Sequence, residues 1–315
     1  MPNQLKRDFL ESIDLIRRYF KFQIYKLPET ANYDITGKCN AKCKHCYFFK
    51  SWDSSRELSD EEWISAFKKH RQGGICYAVL TGGEPMLRPK LIEAADKIFE
   101  IVLIVSNGII KIPEHINRRI FISIDGNKET HESIRRIRTF DQIMKNIKND
   151  KRVVLSPTLS TLNYNQIDEI IRIAIDQNVF GVTFSLYAGE SMDDALVLKG
   201  EKLDYTIKKL KEALKRNKDI VLLTEKMINT FKDKKHIKNC FLRSKWVVSY
   251  YPDLKIKTPC VLGEKIECKT CGCIIPVIMY ALSRFDFAAL GIIKKFFPSY
   301  AYAKYLDKRK IDYLL

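Results

Sequence analysis

The feature that most constrains this chain is an alternation, between residues 31 and 186, of short apolar runs with segments of helical period. Extended runs fall at Ala31–Thr36, Ile75–Leu80, Ile101–Val105, Ile120–Ile124, Val153–Thr158 and Gly181–Leu186. Between them, Ser59-Asp60-Glu61-Glu62 forms a capping box that opens a helix carrying Trp63, Ile64 and Phe67 inward, and Gly73-Gly74 closes it. Further helical patterns run from Pro89 to Phe99, near Phe140 to Ile147, and from Gln166 to Gln177. Repeated βα units of this length imply a parallel sheet with right-handed crossovers. Ligands of such sheets collect at the carboxyl ends of the strands.

Three cysteines sit at the first of those ends. Cys39, Cys43 and Cys46 have C-x3-C-x2-C spacing, so one loop can present three soft ligands to one point. Structural zinc sites take four ligands, and a [4Fe–4S] cluster is normally held by four cysteines. Either a distant fourth ligand completes the set or one metal position stays open. His45 lies between two candidate ligands, with its ring expected to point away from them. A disulfide reading is disfavoured by nine cysteines in a Lys-rich chain with no secretory leader. A zinc ribbon calls for a paired C-x2-C nearby.

Cys39, Cys43 and Cys46, with Tyr47 after them, resemble the signature of the radical SAM superfamily. Gly82-Gly83-Glu84-Pro85 is similar to that family's GGEP stretch, and Val105-Ser106-Asn107-Gly108 and Ser123-Ile124-Asp125-Gly126 fall where its third and fourth strands end. The resemblance spans roughly residues 30 to 190 and implies an α/β fold, a partial (β/α)6 barrel of TIM type with a small Cys-rich C-terminal domain. It further implies a [4Fe–4S] cluster on Cys39, Cys43 and Cys46, with S-adenosylmethionine chelating the open iron. Reductive cleavage would then give a 5′-deoxyadenosyl radical that takes hydrogen from a substrate in the barrel. Glycines allow backbone groups to approach a ligand closely, so Gly82 and Gly83 are expected against the methionine moiety, with Glu84 accepting from its ammonium. Asn107 ends the third strand at the same site. Ser123 and Asp125 are expected near the ribose or carboxylate, and Arg135 belongs to a stretch like those of the SPASM and Twitch subgroups. The plainer alternatives are a turn or cap for Ser123 and Asp125 and a surface ion pair for Arg135.

Five further cysteines follow residue 230: Cys240, Cys260, Cys268, Cys271 and Cys273. Residues Trp246–Tyr251 and Leu254–Lys257 flank Pro252-Asp253 as a β-hairpin pattern. A hairpin among cysteines followed by C-x2-C resembles a Twitch or shortened SPASM module, which implies one auxiliary [4Fe–4S] cluster. Asp253-Leu254 stands where that pattern has a glycine. Cys240, Cys260, Cys268 and Cys271 form one set, with Cys273 as substitute or spare; a structural zinc site would use the same thiolates. Cys76 reads as a core residue.

Four segments are expected: an amphipathic helical extension (1–28), the barrel (29–218), the auxiliary module (219–275) and an apolar, basic tail (276–315). The tail could lie against the barrel's open side or in a bilayer surface. With 55 Lys and Arg against 38 acidic residues, the net charge is +17, which favours anionic partners without specifying them. No apolar run is long enough to span a bilayer, so a cytoplasmic protein is expected, at most peripheral to a membrane. Expected partners are a small-molecule, lipid or peptide substrate, a reductant such as ferredoxin or flavodoxin, and an anionic membrane surface. Nucleic acid is disfavoured. Two rivals remain open, a peptide-modifying maturase and a zinc-binding nucleic-acid protein; the second explains neither Gly82–Pro85 nor the βα order.

Overall fold

The computed structural model describes residues 29–52, 56–243 and 246–296. The N-terminal helix expected over 1–28 and the end of the tail lie outside these residues. Seven parallel strands form the main sheet in the order β7-β5-β4-β3-β2-β1-β9. They are β1 (Thr30–Asp34), β2 (Tyr77–Thr81), β3 (Ile101–Ser106), β4 (Arg119–Ile122), β5 (Val153–Leu155), β7 (Gly181–Val182) and β9 (Val247–Tyr250). A second sheet pairs β6 (Thr158–Leu159) with β8 (Ser185–Leu186).

Helices α1 (Phe48–Ser51), α2 (Asp60–Gln72), α3 (Pro89–Ile98), α4 (Lys128–Arg135), α5 (Phe140–Ile147), α6 (Ile167–Asp176) and α7 (Gly200–Arg216) lie between the strands, and α8 (Glu225–Asp233) follows. The arrangement is the expected α/β partial barrel. Strand alternation sends successive side chains to opposite faces, and aromatic packing identifies the helix-covered face. Tyr33 meets Trp63 at 5.9 Å and Phe67 at 5.0 Å on α2, and Phe99 after α3 at 5.8 Å. Asn32 and Asp34 therefore point to the concave side. The capping box at Ser59 is present, with the Ser59 hydroxyl accepting from the Glu62 amide and the Glu62 carboxylate from the Ser59 amide.

The β3–β4 connection is made without a helix, so its carbonyls need other partners. Asn146 donates to the Gly108 and Ile109 carbonyls, and Arg152 to those of Ile112, Pro113 and Ile116. The fifth and sixth strands, expected unbroken, are each divided. Pro157 has no N–H to give a ladder, so the chain bends there. Bonds from the Thr183 amide to the Leu155 carbonyl (2.9 Å) and from Tyr187 to Leu159 (2.8 Å) carry the pairing across the bend.

The hairpin expected in the cysteine-rich region differs most from its pattern. Its first arm, β9, pairs in parallel with β1, with Asn32 opposite Ser249, and so extends the barrel sheet. Its second arm is reduced to the Tyr250–Ile256 bridge and two bonds, Tyr251 amide to Lys255 carbonyl and Lys257 amide to Ser249 carbonyl. Leu254 occupies a left-handed conformation at φ 67°, the geometry that explains why a glycine suits this position.

The position where the tail was expected to begin falls inside α9 (Ile274–Ser283), which is followed by α10 (Phe287–Phe296). These helices pack on the barrel, burying Val277, Ile278, Ala281, Ala289 and Phe296. Phe296 meets Phe121 edge-on at 5.3 Å, and Arg119 donates to the Lys295 carbonyl. Phe121 and Arg119 occupy the face of β4 opposite Ile122, which abuts α5 through Gly108 and Ile143. The last described helix therefore lines the concave side.

Because Trp63 is fully buried in the aromatic cluster, Trp63→Ala is expected to lower stability by about 3–5 kcal/mol. Urea unfolding measures that loss, and iron bound per folded chain should stay unchanged.

Candidate metal centre

The first cysteine loop has no regular structure; the turn after β2 and the end of α4 bond its backbone, and Asn107 after β3 bonds one of its side chains. After β2, the Gly83 amide donates to the Thr36 carbonyl at 2.7 Å and the Glu84 amide to the Lys38 carbonyl at 2.8 Å. After β3, the Asn107 side-chain amide donates to Asn40 Oδ1 at 2.7 Å and lies 4.0 Å from Cys39 Sγ. At the end of α4, the Arg135 and Ile134 carbonyls accept from the Lys42 and Lys44 amides at 3.3 and 2.9 Å. Arg135 Nη1 lies 3.6 Å from Cys43 Sγ.

The cysteine loop packs closely on the glycine pair. A Cβ at Gly83 would stand 2.1 Å from the Lys38 carbonyl oxygen, and one at Gly82 2.5 Å from that of Thr36. The glycines are required by the chain's own cysteine loop, which presses against them. Glu84 is buried and accepts from Ser106 Oγ (2.8 Å) and the Met86 amide (3.0 Å) on Oε1 and from the Asn107 amide (2.8 Å) on Oε2. Two carboxylate oxygens offer about four acceptor positions, so one remains for an incoming cation. Burial raises the Glu84 pKa, opposed chiefly by the Asn107 amide.

Asp125 has partners within the protein itself. It is fully buried, and its Oδ2 faces Arg135 Nε at 2.6 Å and His45 Nε2 at 3.8 Å. Oδ1 is approached by the Thr158 amide at 3.4 Å. Burial alone would raise its pKa, yet the Arg135 guanidinium and then His45 hold it down at about 2. Arg135 is not a surface ion pair: its side chain is 11% exposed and aimed at Cys43. Ser123 lies half-buried beyond β4, its amide donating to the Ser106 carbonyl at 3.1 Å. His45 turns from the thiols toward Asp125, as its place between two cysteines suggests.

The sequence reading missed the strongest link between the two cysteine regions. Lys257 and Asp34 form an ion pair in which both side chains are inaccessible to solvent. The ammonium also donates to the Val261 carbonyl at 3.1 Å and lies 4.9 to 5.6 Å from the ring centres of Tyr251, Tyr47 and Phe48. Tyr47 is half-buried, and its phenol is raised by desolvation and then by Asp34, with Cys46 and Cys273 both acting on it as well. A lysine in a hairpin pattern reads as exposed; only its pairing with Asp34, 223 residues away, marks it as internal.

Cys240, Cys260, Cys268, Cys271 and Cys273 are brought into one neighbourhood. Cys260 feels Cys240 and Cys268, while Cys271 and Cys273 each feel Cys260 and Cys240. Arg243 Nη1 lies 3.8 Å from Cys268 Sγ, and Lys234 donates to the Cys271 carbonyl at 2.7 Å. Burial pushes the thiols of Cys39 and Cys271 up to about 11, so metal loading must displace protons. All nine cysteines are free. Among the described residues, no three His, Cys, Asp or Glu side chains converge as ligands of a single ion; a four-iron cube gives each thiolate its own iron. The donor chemistry of both sets fits such a cluster, and the spare acceptor on Glu84 fits an ammonium beside the first.

Residues 33–174 match the family model of the Radical SAM superfamily, and a cysteine-rich region follows them in the chain. Among curated proteins, it is 28% identical over 169 residues to the sporulation killing factor maturation protein SkfB of Bacillus subtilis, covering 49% of this chain and 41% of that one. It is 31% identical to the antilisterial bacteriocin subtilosin biosynthesis protein AlbA of the same organism, over 39% of this chain and 31% of AlbA. The chain thus spans less than half the length of these relatives. Its fold resembles Streptococcus suis SuiB bound to precursor peptide SuiA (TM-score 0.59, 13% identity, 80% of this chain, 64% of that chain). It also resembles anSMEcpe with bound AdoMet (TM-score 0.58, 15% identity, 75% of each chain).

Gly83→Ala should loosen the first cysteine loop and lower the iron retained there. Gly291→Ala, whose added methyl meets open space, should leave it unchanged; iron assay of the two variants makes the comparison. A second expectation concerns pH. Burial lowers His45, His131 and His236 to about 4, so the folded state keeps them neutral while the unfolded chain takes up protons below about 6.5. Stability of the metal-free chain should therefore fall from about pH 6.5 toward pH 4, by at most about 1.4 kcal/mol per pH unit for each ring. Urea midpoints across that range measure the slope, which His236→Phe should reduce.

Proposed function

We propose that this chain is a radical SAM enzyme that modifies a peptide. The observation that carries the reading is the docking of a three-thiol loop onto the Gly82–Glu84 turn, with one acceptor position left on a buried carboxylate. Cys39, Cys43 and Cys46 would hold a [4Fe–4S] cluster, with S-adenosylmethionine at its remaining iron. That pair, once reduced, supplies the electron and the hydrogen-abstracting chemistry. Glu84 would accept from the ammonium of the bound methionine moiety, and Asn107 fixes Asn40 and thereby the approach to Cys39. Asp125 holds Arg135 in place, and the guanidinium donates toward Cys43 and would offer positive charge to a carboxylate. Ser123, at the end of β4, would be a polar contact for the ribose or carboxylate.

The second cysteine set would hold an auxiliary [4Fe–4S] cluster in a Twitch- or SPASM-like module over residues 219–275. Cys240, Cys260, Cys268 and Cys271 are the first choice of ligands, with Cys273 able to replace one of them. The maturation role of SkfB, the bacteriocin role of AlbA and the peptide bound to SuiB support a peptide substrate. A small reductant such as ferredoxin or flavodoxin would deliver electrons. A lipid substrate is a second reading, favoured by the exposed aromatic side chains near the chain's last helices. The proposed setting is the cytoplasm, and no described helix is long and apolar enough to cross a membrane.

Anaerobically reconstituted protein should bind about eight irons, and the Cys39→Ala/Cys43→Ala/Cys46→Ala variant about four. The variant should lose reductive cleavage of S-adenosylmethionine while keeping the auxiliary chromophore. Zinc at both sites, or undiminished cleavage by the triple variant, sinks the proposal.

A further inference from the structure

Phe285 and Phe287, at the turn between α9 and α10, are 79% and 76% exposed. Among the described residues they are the most exposed of the large apolar side chains, and the turn that presents them is tightly held. The Phe285 amide donates to the Leu282 carbonyl (2.9 Å), that of Asp286 to Ala281 (3.1 Å) and that of Phe287 to Phe285 (3.1 Å). Between the rings, the Asp286 carboxylate turns back and accepts from Thr224 Oγ1 at 2.5 Å, while Lys226 Nζ donates to the Arg284 carbonyl at 2.6 Å. Phe285 is held at φ 61°, a left-handed conformation unfavourable for a non-glycine residue. The fold thus expends backbone strain and five local hydrogen bonds to keep two phenyl rings in water.

We infer that this turn is a membrane-docking point, inserting Phe285 and Phe287 into the headgroup boundary of an anionic bilayer. Two rings on one turn offer a few hundred Å2 of contact, well short of the roughly 800 Å2 per partner of a specific protein interface. They match the shallow insertion by which peripheral proteins hold an interface. The charge is complementary. Arg284 and Lys226 flank the rings, and the acidic Asp286 beside them is already engaged by Thr224. The chain as a whole carries +17. The sequence after α10 is of the same character, with Tyr300, Tyr302 and Tyr305 among Lys304, Lys308, Arg309 and Lys310, an aromatic and basic mixture suited to the interface. The inference does not depend on the proposed reaction.

Co-sedimentation of the full-length, reconstituted protein with vesicles of phosphatidylcholine alone, or with phosphatidylglycerol added, tests it. The wild type should partition onto the anionic vesicles, and raising salt should weaken binding. Phe285→Ser/Phe287→Ser should reduce partition at least about tenfold, since each buried ring contributes on that order. Its iron content and unfolding midpoint should match the wild type, because both side chains project into solvent. Equal partition of the variant and wild type, or no partition of the wild type, overturns the inference. So does a dimer of wild type that the double variant abolishes without any vesicle binding, since the rings would then serve a second copy of this chain.

Discussion

An irregular loop that carries three free thiols cannot satisfy its own backbone, and this constraint organises the barrel's mouth. Buried amides and carbonyls without partners cost free energy comparable to a lost hydrogen bond. Residues 36–46 meet that demand by borrowing from their neighbours, two amides of the Gly82–Glu84 turn and the carbonyls ending α4, while the side chain of Asn107 holds that of Asn40. Each donor or acceptor stands at the end of a different parallel strand or its helix. A sheet in which β1 lies beside β2, with β3 and β4 next in order, is what brings them around one loop. The fold and the metal site are therefore one requirement seen at two scales.

This explains why much of the architecture is legible in the sequence. The apolar runs and the Ser59–Glu62 capping box carry their own local chemistry, so the strand and helix order follows from period and caps. The cysteines and Glu84 are legible because few other chemistries need them at that spacing. What resists reading is the non-local part. That the glycine pair also seats the cysteine loop shows only in the 2.1 Å approach to Lys38. Nothing local reveals that Arg135 and His45 face Asp125. The left-handed conformation of Leu254 has no sequence signature in a leucine.

The cysteine-rich region shows the same limit on a larger scale. A hairpin pattern flanked by thiols suggests a module apart from the barrel, yet β9 bonds to the free edge of β1 along four residue pairs. An edge strand left open invites association, and covering it gives the C-terminal region a fixed register against the first cysteine loop. The Asp34–Lys257 pair then locks that register. Removing one member of a buried pair leaves an uncompensated charge, a loss of about 3–5 kcal/mol, so the two regions resist moving independently.

The consequence is electrostatic as well as mechanical. Tyr47, the residue after Cys46, is half-buried, with its phenol raised first by desolvation and then by Asp34, Cys46 and Cys273, and Lys257 stands 5.4 Å from its ring. The same lysine's charge acts on Cys260 of the second set, in an interior where a cation is felt more strongly than in water. Asp34, Tyr47 and Lys257 therefore do for the pair of sites what the Gly82–Glu84 turn does for the first: they fix its geometry with groups that the metal itself need not touch.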